Sequence, residues 1–128
     1  MNVLLDTHIA LWAITDSKAL PAGSRELISD PDVTIWVNAA NIWEIAIKHA
    51  LRPKNMPVSG QDAWRFFHEA GYQMLAVNAS NAAHVEKLPQ HHQDPFDRIL
   101  VAQALVEPLR LLTHDKKVAL YGESIILV

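Results

Sequence analysis

Cysteine is absent from the chain, which removes disulfides, thiolate metal ligands and thiol nucleophiles together and accords with a reducing cytosol. Long hydrophobic runs are absent as well. The N-terminal MNVLLDTHIALW meets Asp6 after three apolar residues and carries no basic leader, so it reads as neither a signal peptide nor a membrane span. A cytoplasmic protein with no membrane association is expected. Glycine is scarce, at four residues in 128, and no low-complexity tract or internal repeat interrupts the sequence, which excludes a disordered segment. An excess of positive charge is also missing. The formal net charge of −3 argues against broad nucleic-acid binding by net charge and leaves that task to a local basic rim or a bound metal.

Half of the residues are hydrophobic and 20% are charged, the balance of a packed globular protein, and the length suits one domain spanning residues 1–128. Strand-length apolar stretches occur at 2–5 (NVLL), 33–37, 73–77, 110–113 (RLLT) and 125–127 (IIL). Between them lie stretches of helical length at 7–14, 21–29, 41–51, 60–70, 79–87 and 95–107, with Pro53, Pro57, Gly71, Pro89 and Pro108 as punctuation. Strands alternating with helices predict an α/β fold: a central, mostly parallel sheet of about five strands flanked by helices on both faces.

Four acids fall at the junctions of this scheme. Asp6 ends the first strand, Glu44 opens the helix after the second, Asp97 lies in the first turn of the 95–107 helix, and Asp115 follows RLLT. In a doubly wound sheet these positions share the carboxyl edge, where loops from several strands converge. Each acid alone has a capping explanation. Asn41-x-x-Glu44 and Asp94-Pro95-x-Asp97 have the form of capping boxes, and Asp6 and Asp115 suit N-caps. Together they imply more, because four converging carboxylates repel one another unless a cation holds them. Oxygen ligands select Mg²⁺, or Mn²⁺ in its place, and such a site serves phosphodiester or phosphoryl chemistry.

Four motifs, LLDTHIALW, AANIWEIAIK, HHQDPFDRILVAQAL and LLTHDKKVALYG, in this order and across nearly the whole chain, resemble the PIN domain of VapC-type toxins. The resemblance implies a PIN-like fold and a Mg²⁺-dependent endoribonuclease that acts on single-stranded RNA. It also implies a VapB-type antitoxin partner and a homodimer. The family's acidic positions carry over as Asp6, Glu44 and Asp97, with Asp115 as a more variable fourth. Asp6 and Asp97 are then expected as direct metal ligands, Glu44 as ligand or water-orienting base, and Asp115 as reaching the metal through water. Attack by external water would leave a 5′-phosphate and a 3′-hydroxyl. Asn38 and Asn41 stand where the family often has small hydroxyl residues, and His114 where arginine is common.

Further residues divide between chemistry and structure. Thr7 either caps a helix or holds a water, and Thr113 either orients a water or ends its strand. Arg98 is expected as an ion-pair partner of Asp94 four residues before it, with a phosphate contact as the alternative. Lys48, Arg52, Lys54, Lys116 and Lys117 read as ordinary surface charge or as a basic rim for RNA. A zinc reading draws on His8, His91, His92 and His114, but no helical histidine pair of the zincin kind supports it. His91 and His92 are expected as exposed loop residues. Trp12, Trp36, Trp43 and Trp64 could stack on bases or receive an antitoxin; core packing is the expectation, with Trp43 anchoring its helix on the sheet. The rival readings are an aspartyl-phosphate phosphatase built on Asp6, disfavoured by His8 two residues on, and a non-catalytic metal- or partner-binding α/β module.

Overall fold

A computed structural model describes residues 1–128, and in it the alternation of apolar side chains along each strand sets the layering. Five strands, β1 (Asn2–Leu5), β2 (Thr34–Asn38), β3 (Gln73–Leu75), β4 (Arg110–Thr113) and β5 (Ile125–Leu127), form one sheet in the order β3-β2-β1-β4-β5. Every pairing is parallel, with Leu4 beside Trp36 on one side and Leu111 on the other. Val3, Leu5, Ile35, Val37 and Leu112 face one core together with Ile9, Ile45, Ala63 and Phe67. Leu4 and Leu111 point the opposite way, into a second core with Leu100, Val101, Ala104 and Val118. A sheet buried on both faces needs apolar residues at consecutive positions, which is why NVLL and RLLT show no polar alternation.

The covering helices are α1 (Thr7–Ile14), α2 (Ala22–Ser29), α3 (Ala39–Leu51), α4 (Gly60–Glu69), α5 (Ala79–His84), α6 (Pro95–Val106) and α7 (Lys116–Ala119). α3 and α4 pack so closely that a Cβ on Gly60 would lie 2.7 Å from Ala46 Cβ, so only glycine fits there. At the other end of α4 the chain turns through Gly71 at φ 82°. The Gly71 and Tyr72 N–H groups donate to His68 O and Phe67 O, and the Phe67 and Tyr72 rings stack at 6.1 Å. This left-handed stop with its apolar clasp ends the helix cleanly. No helix is long and apolar enough to cross a membrane.

The α/β architecture and the five-strand sheet agree with the sequence reading, but several boundaries and environments do not. The helix expected at 41–51 begins at Ala39, because Asn38 rather than Asn41 caps it, and β2 passes into α3 without a loop. The segment 79–87 divides into α5 and a 3-10 turn at Val85–Lys87, and α7, a single turn, was too short to show a period. Trp43 does not anchor its helix on the sheet. The buried stripe of α3 is Ala40, Asn41, Glu44 and Ile45, which turns Trp43 outward to 62% exposure. Trp64 is exposed likewise, since Gly60, Ala63 and Phe67 form the inner face of α4. Trp12 and Trp36 are partly buried, each against a different core.

The order of the strands places a switch point between β1 and β4. The chain leaves β1 toward β2 and β3, then returns through α5 and α6 to lay β4 on the other side of β1. A crevice therefore opens at the carboxyl ends of β1 and β4. Asp6 and Asp115 follow those two strand ends.

Candidate metal centre

Asp6 leaves β1 with its N–H donating to Leu112 O at 3.0 Å and caps α1, its Oδ1 accepting from Ile9 N–H at 2.9 Å. Its Oδ2 accepts from the Thr113 hydroxyl, so the side chain is fixed by α1 on one side and by β4 on the other. Only 6% of the residue is exposed. Burial pushes the Asp6 carboxyl above its ordinary 3.8, although the Thr113 and Ile9 hydrogen bonds and the charge of His8 work against that rise. The capping role is real, but it occupies one oxygen and does not explain why an acid rather than serine is buried here.

Glu44 has no capping role. Asn38 Oδ1 accepts from Asn41 N–H at 2.7 Å while Asn41 Oδ1 accepts from Asn38 N–H at 2.8 Å, so the capping box of α3 is Asn38–Asn41 and Glu44 sits a turn further in. There it is 4% exposed. Its Oε2 pairs with Lys48, and its Oε1 is buried with no partner at all. The amide of Asn41 also donates to the Thr7 hydroxyl at 3.0 Å, and that of Asn38 donates to Gln103 Oε1. Thr7 thus ties the start of α1 to α3 and is not the cap of its helix.

Asp97 stands at the third position of α6, behind Asp94, whose Oδ1 accepts from Phe96 and Asp97 N–H. The reciprocal half of the expected box is missing. Asp94 N–H donates instead to His92 Nδ1 at 3.0 Å, and the Asp97 carboxylate turns toward His92 Nε2 at 3.3 Å. Burial and then the neighbouring charges of Asp94, Asp6 and Glu44 raise the Asp97 carboxyl from 3.8 to about 7, against a smaller opposing effect from His92. Two of the other three acids singled out by the sequence, Asp6 and Glu44, therefore act electrostatically on the Asp97 carboxyl group, together with Asp94.

Asp115 joins them through two contacts. Its N–H donates to Thr113 Oγ1 at 3.1 Å, and its Oδ2 accepts from His92 Nε2 at 3.0 Å. Burial lifts its carboxyl, but the hydrogen bonds from Lys117 N–H and His92 outweigh that and hold it below 3.8. His92 was expected as an exposed loop residue and is instead three-quarters enclosed or more, with ligand atoms of His92, Asp97 and Asp115 all within 4.8 Å of one another. Because Nδ1 accepts from a backbone N–H, Nε2 is the nitrogen that carries the proton and donates to Asp115, with Asp97 Oδ2 3.3 Å away. The signal for His92 was its place in HHQDP, two residues before the cap of α6. His91 is exposed, its ring set edge-on to Tyr121.

The remaining candidates fall on either side of the cleft. Arg98 is buried and donates to the carbonyls of Val85, Leu88, Pro89 and His92 and to the Tyr121 hydroxyl. It makes neither the expected ion pair with Asp94 nor a surface for phosphate, because its donors are spent on the loop that carries His92. Lys116 and Lys117 line a cavity of about 670 Å³ with Asp6, His8, Trp12, His92, His114 and Asp115. Lys48 is drawn to Glu44 and so is not ordinary surface charge.

The donor set fits a divalent cation. An unpartnered carboxylate oxygen shut away from water costs roughly 1–3 kcal/mol or more, and Glu44 Oε1 is such an atom beside two acids whose carboxyls burial has raised. A hard cation would satisfy that oxygen and cancel the repulsion on Asp97. The ligand atoms of His92, Asp97 and Asp115, all within 4.8 Å of one another, are the group that could hold it, while Asp6 and Glu44 act on Asp97 through their charge.

Comparison with known proteins places the fold and the family. No curated protein sequence is a significant match to the chain. Among solved structures, VapBC2 from Rickettsia felis bound to a promoter DNA fragment is similar at a TM-score of 0.71 and 17% identity, covering 100% of this chain and 98% of that one. A toxin-antitoxin complex from Klebsiella pneumoniae is similar at 0.65 and 15% identity, over 97% of this chain and 95% of that one. PAE2754 from Pyrobaculum aerophilum is similar at 0.64 and 12% identity, over 98% and 88%. At these identities the likeness is one of fold. The model of the PIN domain matches residues 3–123, which takes in all four acids, and the chain accordingly belongs to the PIN domain family.

Proposed function

We propose that the protein is a Mg²⁺-dependent endoribonuclease, with Mn²⁺ able to substitute, and that it acts as the VapC-type toxin of a type II toxin-antitoxin pair in the cytoplasm. The observation that carries the reading is Glu44 Oε1, a buried carboxylate oxygen without a partner, whose charge with those of Asp94 and Asp6 raises the Asp97 carboxyl. A divalent cation at Asp97, ligated also by Asp6 and Glu44, would supply Lewis acidity toward a phosphodiester and a more acidic water. The protein's own groups do the rest. Thr113 and Ile9 hold both oxygens of Asp6 in place, and Asn41 locks Thr7 and the start of α3, so the acids do not rearrange as substrate arrives. Glu44 Oε1 is the acceptor with no competing donor, which suits it to join the oxygen ligands of the cation. His92 Nε2–H donates to Asp115 Oδ2 and stands 3.3 Å from Asp97 Oδ2, which ties the two acids to one side chain.

RNA as substrate is supported by the basic side chains along the cleft. Lys116 and Lys117 stand at one cavity beside Asp6, and Lys48 and Arg52 at a second, while His8 lines both, so cationic groups flank the acids along one path. Phosphate contacts of this kind position a strand without choosing its sequence. A VapB-type antitoxin and a homodimer both require apolar surface. The groove of about 520 Å³ lined by Ala39, Trp43, Val77, Val85, Phe96 and Ile99 supplies it.

Purified protein incubated with single-stranded RNA should cleave it with Mg²⁺ or Mn²⁺, stop in excess EDTA, and leave 5′-phosphate and 3′-hydroxyl ends. Cleavage that persists in EDTA, or ends bearing a 2′,3′-cyclic phosphate, would count against the mechanism. In cells, expression should arrest growth, and co-expression of the adjacent reading frame should relieve it.

A further inference from the structure

Trp12 is the one hydrophobic residue lining the cavity beside Asp6 and Asp115, and its setting differs from that of the other exposed or half-exposed tryptophans. Its partly buried side chain packs against the core beneath α1. The His8 ring lies 5.8 Å from it, tilted by 44°, and the His114 ring meets it edge-on at 6.0 Å. His114 is itself held through Nδ1 by the Val128 carbonyl, so the platform is preorganised by strand ends as well as by α1. Trp43, by contrast, faces an apolar groove with no acid in it, and Trp64 lies on α4 among Gln61, Arg65 and His68.

We propose that this cavity is a nucleobase subsite, in which one base next to the cleaved phosphodiester stacks on Trp12 between His8 and His114. The inference rests on the nuclease reading and adds to it where the substrate is gripped. A nucleotide whose phosphate reaches Asp6 and Asp115 must place its base one ribose away, and the cavity of about 670 Å³ lies within the size range of small-ligand sites. A base offers a flat apolar face that indole matches, and stacking tolerates any of the four bases. Since the indole is already braced by core and imidazoles, little ordering cost is incurred when the base arrives. Lys116 and Lys117, on the rim of the same cavity, would hold the neighbouring phosphate.

The test compares wild type, Trp12→Leu and Trp12→Phe on a single-stranded RNA oligomer that the wild type cuts, and on versions with an abasic ribose on either side of the cut. Leucine keeps an apolar group on the core, and the melting temperature of each variant checks that it is folded. Trp12→Leu should raise KM about tenfold with kcat nearly unchanged, and Trp12→Phe should restore most of the loss. One abasic position should weaken the wild type by a similar factor and weaken Trp12→Leu no further, the signature of a direct pair. Folded Trp12→Leu with unchanged KM, or losses that simply multiply, would overturn the subsite while leaving the nuclease reading intact. A wild type that neither binds nor cuts RNA in Mg²⁺ would overturn both.

Discussion

Asp97→Asn protein should cleave RNA about 10³-fold more slowly than wild type or worse, and yet unfold at a higher temperature in EDTA at neutral to alkaline pH. The two effects have one origin. Asp97 sits among Asp94, Asp6 and Glu44, and its carboxyl is raised from 3.8 to about 7 by burial and by their charges. Between those two values the folded state holds a proton at Asp97 that the unfolded chain does not. The stabilisation this confers is fully present below about pH 3.8 and is lost as pH rises through about 7. Above that range the folded protein carries an ionised Asp97 that it disfavours, at a cost of up to about 4 kcal/mol. Asparagine keeps the shape, removes the charge and removes that cost. The check is a pair of melting curves in EDTA across the pH range, alongside single-turnover cleavage in Mg²⁺. The gap between variant and wild type should widen from acid to alkaline conditions, and a gap that closes with rising pH would show the sign to be wrong. A cluster of acids that merely capped helices would lose stability on substitution.

Arg98→Ala should be the most destabilising single change at the site, at about 3–5 kcal/mol, with a fall in melting temperature of roughly 10–20 °C. The guanidinium reaches Val85 O, Pro89 O and the Tyr121 hydroxyl at 3.0 Å each, His92 O at 3.2 Å and Leu88 O at 3.5 Å. It is the organising centre of the segment from α5 to α6. Removal leaves carbonyls buried without donors and releases the backbone that positions His92. Arg98→Lys should rescue little, because one ammonium cannot span acceptors that a planar fork reaches together. At temperatures where Arg98→Ala remains folded, its cleavage rate should also fall, since His92 would no longer brace Asp97 and Asp115. A variant with wild-type stability would show that the carbonyl cage contributes nothing net; circular dichroism melts decide it.

The part of this architecture that sequence made legible is the part governed by local pattern. NVLL and RLLT are strands because both faces of the sheet are buried, and they announce themselves as unbroken aliphatic runs. The acids stood out because they interrupt or closely follow such runs, where a charge is expensive. What stayed hidden depends on contacts between distant segments. Arg98 looked like a surface partner for Asp94 because helical spacing says so, but the 3-10 turn and the following loop fold over it and claim its donors. His92 looked like loop because nothing local reveals that Asp94 N–H fixes its ring against Asp97 and Asp115. Trp43 looked like core because tryptophan usually is; the phase of α3 is set by Asn38 at the strand end, and a start two residues earlier than expected decides which residues face inward. Glu44 gained its significance by the same shift, leaving a cap position for a buried one.

The central claim is that these acids are tolerable together only around a dication, and calorimetric titration of Mn²⁺ and Mg²⁺ into metal-free wild type near neutral pH tests it most directly. Saturable binding is expected, with proton release as Asp97 ionises, a rise in melting temperature, and loss of both in Asp6→Asn. No heat and no change in melting temperature up to about 10 mM of either ion would contradict the account.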